Sequence, residues 1–104
     1  MIGYALFARL DAKPGKEDEV AAFLAQALDM ANRESTTPIW FALRLSGSSF
    51  GIFDAFASEA DRNAHLSGPI GQALMSRAAD LLAAPPAIEL IDVLGIKNPM
   101  QAND

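Results

Sequence analysis

The spacing of apolar residues changes along the chain, and each change predicts a new element of secondary structure. Residues 2–11 alternate as a strand does, with Ile2, Tyr4 and Leu6 on one face and Ala5 and Phe7 on the other. Residues 15–33 instead carry apolar side chains at the spacing of an amphipathic helix. That stripe comprises Val20, Phe23, Leu24, Ala27, Leu28 and Ala31. The chain is therefore predicted to begin with a strand and a helix.

Two further strands are predicted to form a hairpin. Residues 39–45 and 50–57 are rich in aromatic and aliphatic side chains, and Ser46-Gly47-Ser48-Ser49 between them favours a turn. A turn centred on Gly47-Ser48 predicts four cross-strand pairs: Leu45 with Phe50, Leu43 with Ile52, Phe41 with Asp54, and Ile39 with Phe56. These residues would face the helices, and the opposite face would carry Trp40, Ala42, Arg44, Phe53 and Ala55.

The C-terminal part predicts a broken helix and a last strand. Ser58 is a favourable N-cap, and the helix that follows runs to about Leu66. Ser67-Gly68-Pro69 breaks it, a second helical segment covers residues 70–84, and Pro85-Pro86 ends that segment. Residues 87–96 form the last predicted strand, and the tail 98–104 is predicted to fray or to add to a partner.

The order strand, helix, strand, strand, helix, strand predicts an α+β fold. Two β-α-β units joined by a hairpin describe a ferredoxin-like plait, which is a four-stranded antiparallel sheet with its helices on one face. Residues 1–104 are expected to form a single domain with a core over residues 2–97.

The sheet face opposite the helices is predicted to be apolar. It would carry Ala5, Phe7, Trp40, Ala42, Phe53, Ala55, Ile91 and Val93. A large apolar patch on a monomer usually marks an interaction surface, and sheet-on-sheet packing with an identical copy would cover it. The alternative cover is the polar tail 98–104, which is too short. The sequence therefore predicts a homodimer through this face.

Composition narrows the functional classes. The chain is 51% hydrophobic, has no cysteine and carries a net charge of −5 with its Lys and Arg scattered. This argues against nucleic acid and anionic membranes as partners. No secretion signal is visible, so a cytoplasmic location is expected. The chain has no phosphate-binding loop, no His-x-x-x-His spacing and no cysteine ligands, and we therefore expect no metal, flavin or nicotinamide cofactor.

His65 is the candidate catalytic residue. It is the only histidine, and because an imidazole titrates near neutral pH it could act as the base for a phenolic proton. Asp54, in the aromatic strand before it, would orient the ring and raise its basicity. The alternatives are a histidine that only packs against the sheet, and an Asp54 that pairs with Arg62 or is partly exposed.

Several aromatic residues and one arginine are candidates for substrate binding. Tyr4, Trp40, Phe41, Phe53 and Phe56 could wall a pocket for a small aromatic molecule, although aromatics at strand spacing also make an ordinary core. Arg44 could hold an anionic group of a ligand. On an interface strand, Arg44 would instead bond a carboxylate across the dimer, for which Glu89 is the candidate, and Trp40 could lie in the same interface.

Several stretches resemble the antibiotic biosynthesis monooxygenase family of the dimeric α+β barrel superfamily. They are W-F-A-L-R, F-G-I-F-D-A-F, A-H-L-S-G-P-I and A-L-M, and the likeness covers roughly residues 2–97. The resemblance implies the fold and the dimer. The family includes cofactor-independent monooxygenases that oxidise aromatic phenols with dioxygen, quinol monooxygenases and haem-degrading relatives.

The chain departs from these relatives at the positions that carry their chemistry. The haem-degrading relatives use an Asn, a Trp and a His where this chain has Leu6, His65 and Met75, so haem cleavage is not expected. The phenol oxidisers use Asn, Trp and Arg, and their Trp position is again His65. The resemblance therefore implies either a small cofactor-independent monooxygenase acting on a phenol or quinol, or a non-catalytic dimeric module that binds a small ligand or a partner.

Overall fold

The protein folds as a four-stranded antiparallel sheet with three helices. The computed structural model describes residues 1–97, and the tail predicted for residues 98–104 lies outside them. The elements in chain order are β1 (Tyr4–Asp11), α1 (Glu17–Asn32), β2 (Ile39–Arg44), β3 (Ser49–Phe56), α2 (Glu59–Leu66), α3 (Pro69–Leu81) and β4 (Ala87–Asp92). The strand order in the sheet is β2-β3-β1-β4. This arrangement confirms the predicted α+β, ferredoxin-like fold.

The core lies between the sheet and the helices. Its main cluster combines apolar residues of β1 and β3 with stripes from α1 and α3, and includes Leu6, Leu10, Val20, Phe23, Phe50, Ile52, Phe56, Leu74 and Leu81. Leu28 was predicted to belong to the α1 stripe but is 45% exposed. In that part of α1 the buried positions are Ala27 and Ala31, and Leu28 lies beside them. Within residues 1–97, no helix has both the length and the apolar character needed to cross a membrane.

The β2–β3 hairpin has a register one residue away from the predicted one. The observed pairs include Arg44 with Phe50, Ala42 with Ile52, Trp40 with Asp54, and Phe41 with Phe53. The Leu45 N–H donates to the Ser49 carbonyl at 2.8 Å, so the loop contains only Ser46, Gly47 and Ser48. A shift of one residue moves every side chain of a strand to the other face. The prediction that Phe41 faces the helices and that Trp40 and Arg44 face outward is therefore wrong, and the Arg44 guanidinium instead lies over the ring of Phe50.

In the observed register, Trp40 packs against the helices and its neighbour Phe41 does not. Trp40 packs against Ala27, Ala31 and Ile70, which belong to α1 and α3. Phe41 lies on the other side of the sheet and is 54% exposed. Burial removes most of the indole surface from water, and an aromatic side chain gains more from this than a small one would.

The sheet face without helices remains apolar after this correction. We call it the outer face, and its apolar residues are Ala5, Phe7, Ile39, Phe41, Leu43, Phe53, Ala55 and Ile91. The same register places two charged residues, Arg9 and Glu89, on this face. Ile39, Phe41 and Leu43 thus take the places that were predicted for Trp40 and Ala42. The rings of Phe41 and Phe53 lie with their centroids 6.4 Å apart, so the aromatic residues form a continuous surface.

The last strand is an edge strand that Arg62 of α2 ties to the rest of the sheet. β4 ends at Asp92 rather than at residue 96. Beyond it, the Val93 N–H still donates to the carbonyl of Gly3 at 2.9 Å, just before β1 begins. Arg62 is 5% exposed. Its Nη1 donates to the carbonyl oxygens of Ala5 at 3.2 Å and Ile91 at 3.1 Å. One buried guanidinium therefore links α2 to both β1 and β4.

Candidate functional site

β3 and α2 place Asp54 and His65 against each other. β3 ends at Phe56, and Ser58 caps α2 by accepting a hydrogen bond from the Asp61 N–H at 3.1 Å. α2 then packs on β1 and β3, so His65 in its last turn comes back to the strand that precedes the helix. Asp54 is fully buried and His65 is 8% exposed. Both side chains thus lie on the helix-facing side of the sheet, within the core.

The structure brings the carboxyl group of Asp54 to the ring of His65. Nε2 of His65 lies 2.7 Å from Oδ2 of Asp54. That oxygen lies off the axis of the Nε2–H bond, and within residues 1–97 neither oxygen of Asp54 accepts a well-aligned hydrogen bond. The contact is therefore a close ionic one, which depends on charge more than on angle. Arg62, the alternative partner of Asp54, instead contacts backbone carbonyls and Glu59.

A second carboxyl group, which sequence reasoning missed, holds the other side of the ring. Nδ1 of His65 makes a well-aligned hydrogen bond of 2.7 Å with Oε1 of Glu34. The Thr37 hydroxyl donates to the same oxygen at 2.8 Å. Both residues lie in the connection between α1, which ends at Asn32, and β2, which begins at Ile39. The short α1–β2 connection therefore contributes a carboxyl group to the site and fixes its position.

Burial and charge act on His65 in opposite directions. Removal from water alone would lower the pKa of the imidazole, but the contacts with Asp54 and Glu34 favour the charged form. These contacts prevail, so the pKa of His65 is raised above its ordinary value of 6.5. The site consequently favours an imidazolium held between two carboxyl groups. We call Asp54, His65 and Glu34 the imidazole cluster.

An apolar cavity of about 70 Å³ adjoins the imidazole cluster between the sheet and α3. His65 lines it together with apolar residues, chiefly Ala8, Ile52, Leu74 and Ile88. Gly71 also lines it, and a Cβ there would lie 2.5 Å from the carbonyl oxygen of Leu66. Glycine therefore allows α3 to begin this close to the end of α2. The lining of the cavity suits a small apolar group.

The predicted substrate-binding residues lie elsewhere. Tyr4 stacks on Arg62, with 5.4 Å between its ring centroid and Cζ. Trp40 and Phe56 belong to the core, where the Phe56 ring centroid is 5.3 Å from that of His65. Phe41 lies on the outer face, and Arg44 lies near the hairpin loop, where it donates to the Gly47 carbonyl at 2.9 Å. None of the five lines the cavity beside His65, and their role in binding stays a prediction.

The chain has the fold of the antibiotic biosynthesis monooxygenases. Its structure matches Rv0793 from Mycobacterium tuberculosis with a TM-score of 0.81 and 18% identity over 92% of this chain and 99% of that one. It matches a proposed antibiotic biosynthesis monooxygenase from Nitrosomonas europaea with a TM-score of 0.78 and 17% identity over 88% and 90% of the two chains. At these identities the likeness concerns the fold, and it confirms the fold that the sequence resemblance implied.

One solved structure also shares much of the sequence. The NE2512 protein of Nitrosomonas europaea, whose function is unknown, is 56% identical over 95% of this chain and 96% of its own, with a TM-score of 0.92. The chain belongs to the same family as NE2512. No protein-family model matches the chain, and no curated protein matches it. Among residues 1–97, no group of His, Asp and Glu forms a candidate metal site.

Proposed function

We propose that this protein is a small cofactor-independent monooxygenase that oxidises a phenol or quinol with dioxygen. The observation that carries the proposal is the buried imidazole cluster at the wall of an apolar cavity. Burying charged groups is costly even when they are paired, and perturbed titratable groups beside a cavity are typical of functional sites. The fold shared with proposed monooxygenases supports the same class of activity.

The proposed reaction needs a proton acceptor and a site that excludes water. The imidazole cluster would take one phenolic proton from a hydroquinone, and the electron-rich anion would then react with dioxygen. One oxygen atom enters the ring and the other leaves in water, so hydroquinone plus dioxygen gives hydroxyquinone plus water. Each carboxyl group contacts the ring, so the cluster works as a unit in which Asp54 and Glu34 stabilise the proton that the imidazole takes. His65 is the member of that unit that lines the cavity.

The proposal is tested by oxygen uptake with a panel of dihydroxy- and trihydroxy-aromatics, using metal-free protein. His65→Gln should lower turnover by about 10²–10⁴-fold. Asn63→Ala, on the exposed side of the same helix, should leave turnover unchanged. Gln is chosen because its amide still donates to a buried carboxyl group, whereas removing a buried partner outright costs about 3–5 kcal/mol. Normal turnover per folded molecule in His65→Gln would end the catalytic role.

Two further measurements refine the same test. Asp54→Asn should lower turnover less than His65→Gln, because the imidazole remains. The rate of the unmodified protein should rise with pH through the titration of His65, and the rise should extend above pH 6.5 because the pKa of His65 is raised from that ordinary value. A rate that falls over this range would contradict a role as base.

A second candidate function is a non-catalytic module that binds a small apolar ligand. The lining of the cavity favours it, because His65 is accompanied there by apolar residues and glycine. This function predicts no oxygen uptake with any aromatic in the panel. It also predicts that a small apolar ligand raises the melting temperature in proportion to the logarithm of its concentration.

We also propose a homodimer formed through the outer face, in which the two sheets pack against each other. Phe41 is 54% exposed on this face, and it continues into an aromatic surface with Phe53. Such an interface should bury more than about 1,600 Å² in total, which is the usual size for a stable complex. A cytoplasmic location also stays a prediction.

A further inference from the structure

The two nitrogens of the His65 ring are held in different ways. Glu34 holds Nδ1 through a well-aligned hydrogen bond of 2.7 Å. Asp54 reaches Nε2 at the same distance but off the axis of the N–H bond. A hydrogen bond fixes a ring only when it is aligned, because its strength falls steeply with angle. The orientation of the ring is therefore set on the Glu34 side.

Glu34 is itself held in place. The Thr37 hydroxyl donates to Oε1, the same oxygen that contacts Nδ1. The backbone N–H of Glu34 donates to the carbonyl of Ala31 at 3.0 Å, which continues the end of α1. A carboxyl group with both its backbone and its side chain fixed can impose its direction on the imidazole.

The three side chains of the imidazole cluster are buried to different extents. The side chain of Asp54 is fully buried, that of His65 is 6% exposed, and that of Glu34 is 19% exposed. Glu34 is thus the least buried member of the cluster, but its Oε2 is itself buried and has no hydrogen-bond partner within residues 1–97. The carboxyl group is therefore held through Oε1, which contacts both the Thr37 hydroxyl and the ring.

We infer that Glu34 is the positioning residue of His65, because it holds the ring through an aligned hydrogen bond and is itself fixed by Thr37 and by the end of α1. The catalytic meaning of this positioning rests on the proposed function, but its physical test does not.

Few charged groups face the ring, which makes the test clean. Asp54 approaches from β3 and Glu34 from the α1–β2 connection. The Thr37 hydroxyl is 3.4 Å from Nδ1 and is neutral. Arg62, on the same helix as His65, is directed to the carbonyls of β1 and β4. Removing the charge of Glu34 therefore leaves one carboxyl group beside the imidazole.

The experiment is an NMR titration of the ring in full-length protein, where His65 is the only histidine and its signals need no assignment. Glu34→Gln should lower the pKa of His65 by about one to three pH units, the usual effect of one nearby opposite charge. Its ring ¹⁵N shifts should show a changed tautomer balance once the imidazole is neutral. The matched control is Glu19→Gln, the same change on an exposed part of α1; it should leave the titration where it is.

A second variant keeps the test decisive if Glu34→Gln does not fold. Thr37→Val removes the hydroxyl that holds Glu34 and should lower the pKa of His65 in the same direction by less. An unchanged titration in folded Glu34→Gln, or in Thr37→Val if that alone folds, would overturn the inference. A lowered pKa with no oxygen uptake by the unmodified protein would support the positioning role while the proposed oxygenase activity fails.

Discussion

The two faces of the sheet differ in which kinds of side chain they bury and which they expose. The helix-facing side packs against three helices and yet carries an ionic cluster, with Asp54 fully buried. The outer face is largely apolar and yet is open along β2, where Phe41 is 54% exposed. A charged cluster within an apolar core and an aromatic surface in contact with water are each the reverse of the usual distribution.

This reversal shows where function is to be sought on each face. A buried charge is tolerated only when it is paired, and the helix-facing side meets that condition by placing His65 between two carboxyl groups. An exposed aromatic surface is stable in water when a partner covers it. The helix-facing side is therefore the candidate for chemistry, and the outer face is the candidate for assembly.

The largest expected effect is dissociation of the dimer proposed to form through the outer face. Phe53→Asp should convert a dimer into a monomer, because it would bury an unpaired charge in the proposed interface. Light scattering at micromolar concentration would then report a mass near 11.0 kDa, whereas the unmodified chain should give twice that value. Ala25→Asp introduces the same charge on the exposed side of α1 and should leave the dimer intact. A mass near 11.0 kDa for the unmodified protein would refute the dimer.

A smaller effect separates the two faces at adjacent positions of β2. Trp40→Ala should lower the free energy of unfolding by about 3–5 kcal/mol, because it empties a site in the core. Phe41→Ala should change it by less than about 1 kcal/mol, as an exposed residue does. Both should be measured by urea unfolding in the Phe53→Asp background, so that dimer contacts do not contribute. The opposite ranking would restore the register predicted from the sequence.

The smallest effect concerns pH and belongs to the helix-facing side alone. The folded pKa of His65 is raised above its ordinary value of 6.5, so the stabilisation from its charge is fully present below that value. It is lost as pH rises through the folded pKa. The free energy of unfolding should therefore fall over this window in the unmodified protein. The His65→Gln variant should lack this dependence, and an equal slope in both proteins would rule out the imidazole as its source.

The sequence predicted most of the fold because each element has a clear period or boundary. The α1 stripe and the Gly68-Pro69 break each follow from local chemistry. The face of β2 did not, because both of its sides are apolar. Trp40 and Ala42 alternate with Ile39, Phe41 and Leu43, so no polar side marks the solvent, and a loop of three residues rather than four reversed the assignment.

Two of the three residues of the imidazole cluster could be singled out from the sequence. Asp54 and His65 stand out as polar residues in apolar or amphipathic elements, and they are close in the chain. Glu34 is 31 residues from His65 and follows a helix end, where a carboxylate is an ordinary surface residue. No sequence pattern points to Glu34. The only available indication was that a buried imidazole needs a partner for each ring nitrogen, and Asp54 supplies only one.

The Arg62 link has a consequence for how the molecule opens. β4 has a single neighbouring strand, and most of its residues are exposed, so it is the part of the sheet with the least to lose by detaching. Its last residues are held by the same guanidinium that anchors α2 to β1. Detachment of β4 therefore loosens the helix that carries His65, and the two elements should unfold locally as one cooperative unit. Arg62 thus holds both the edge strand and the helix that carries His65.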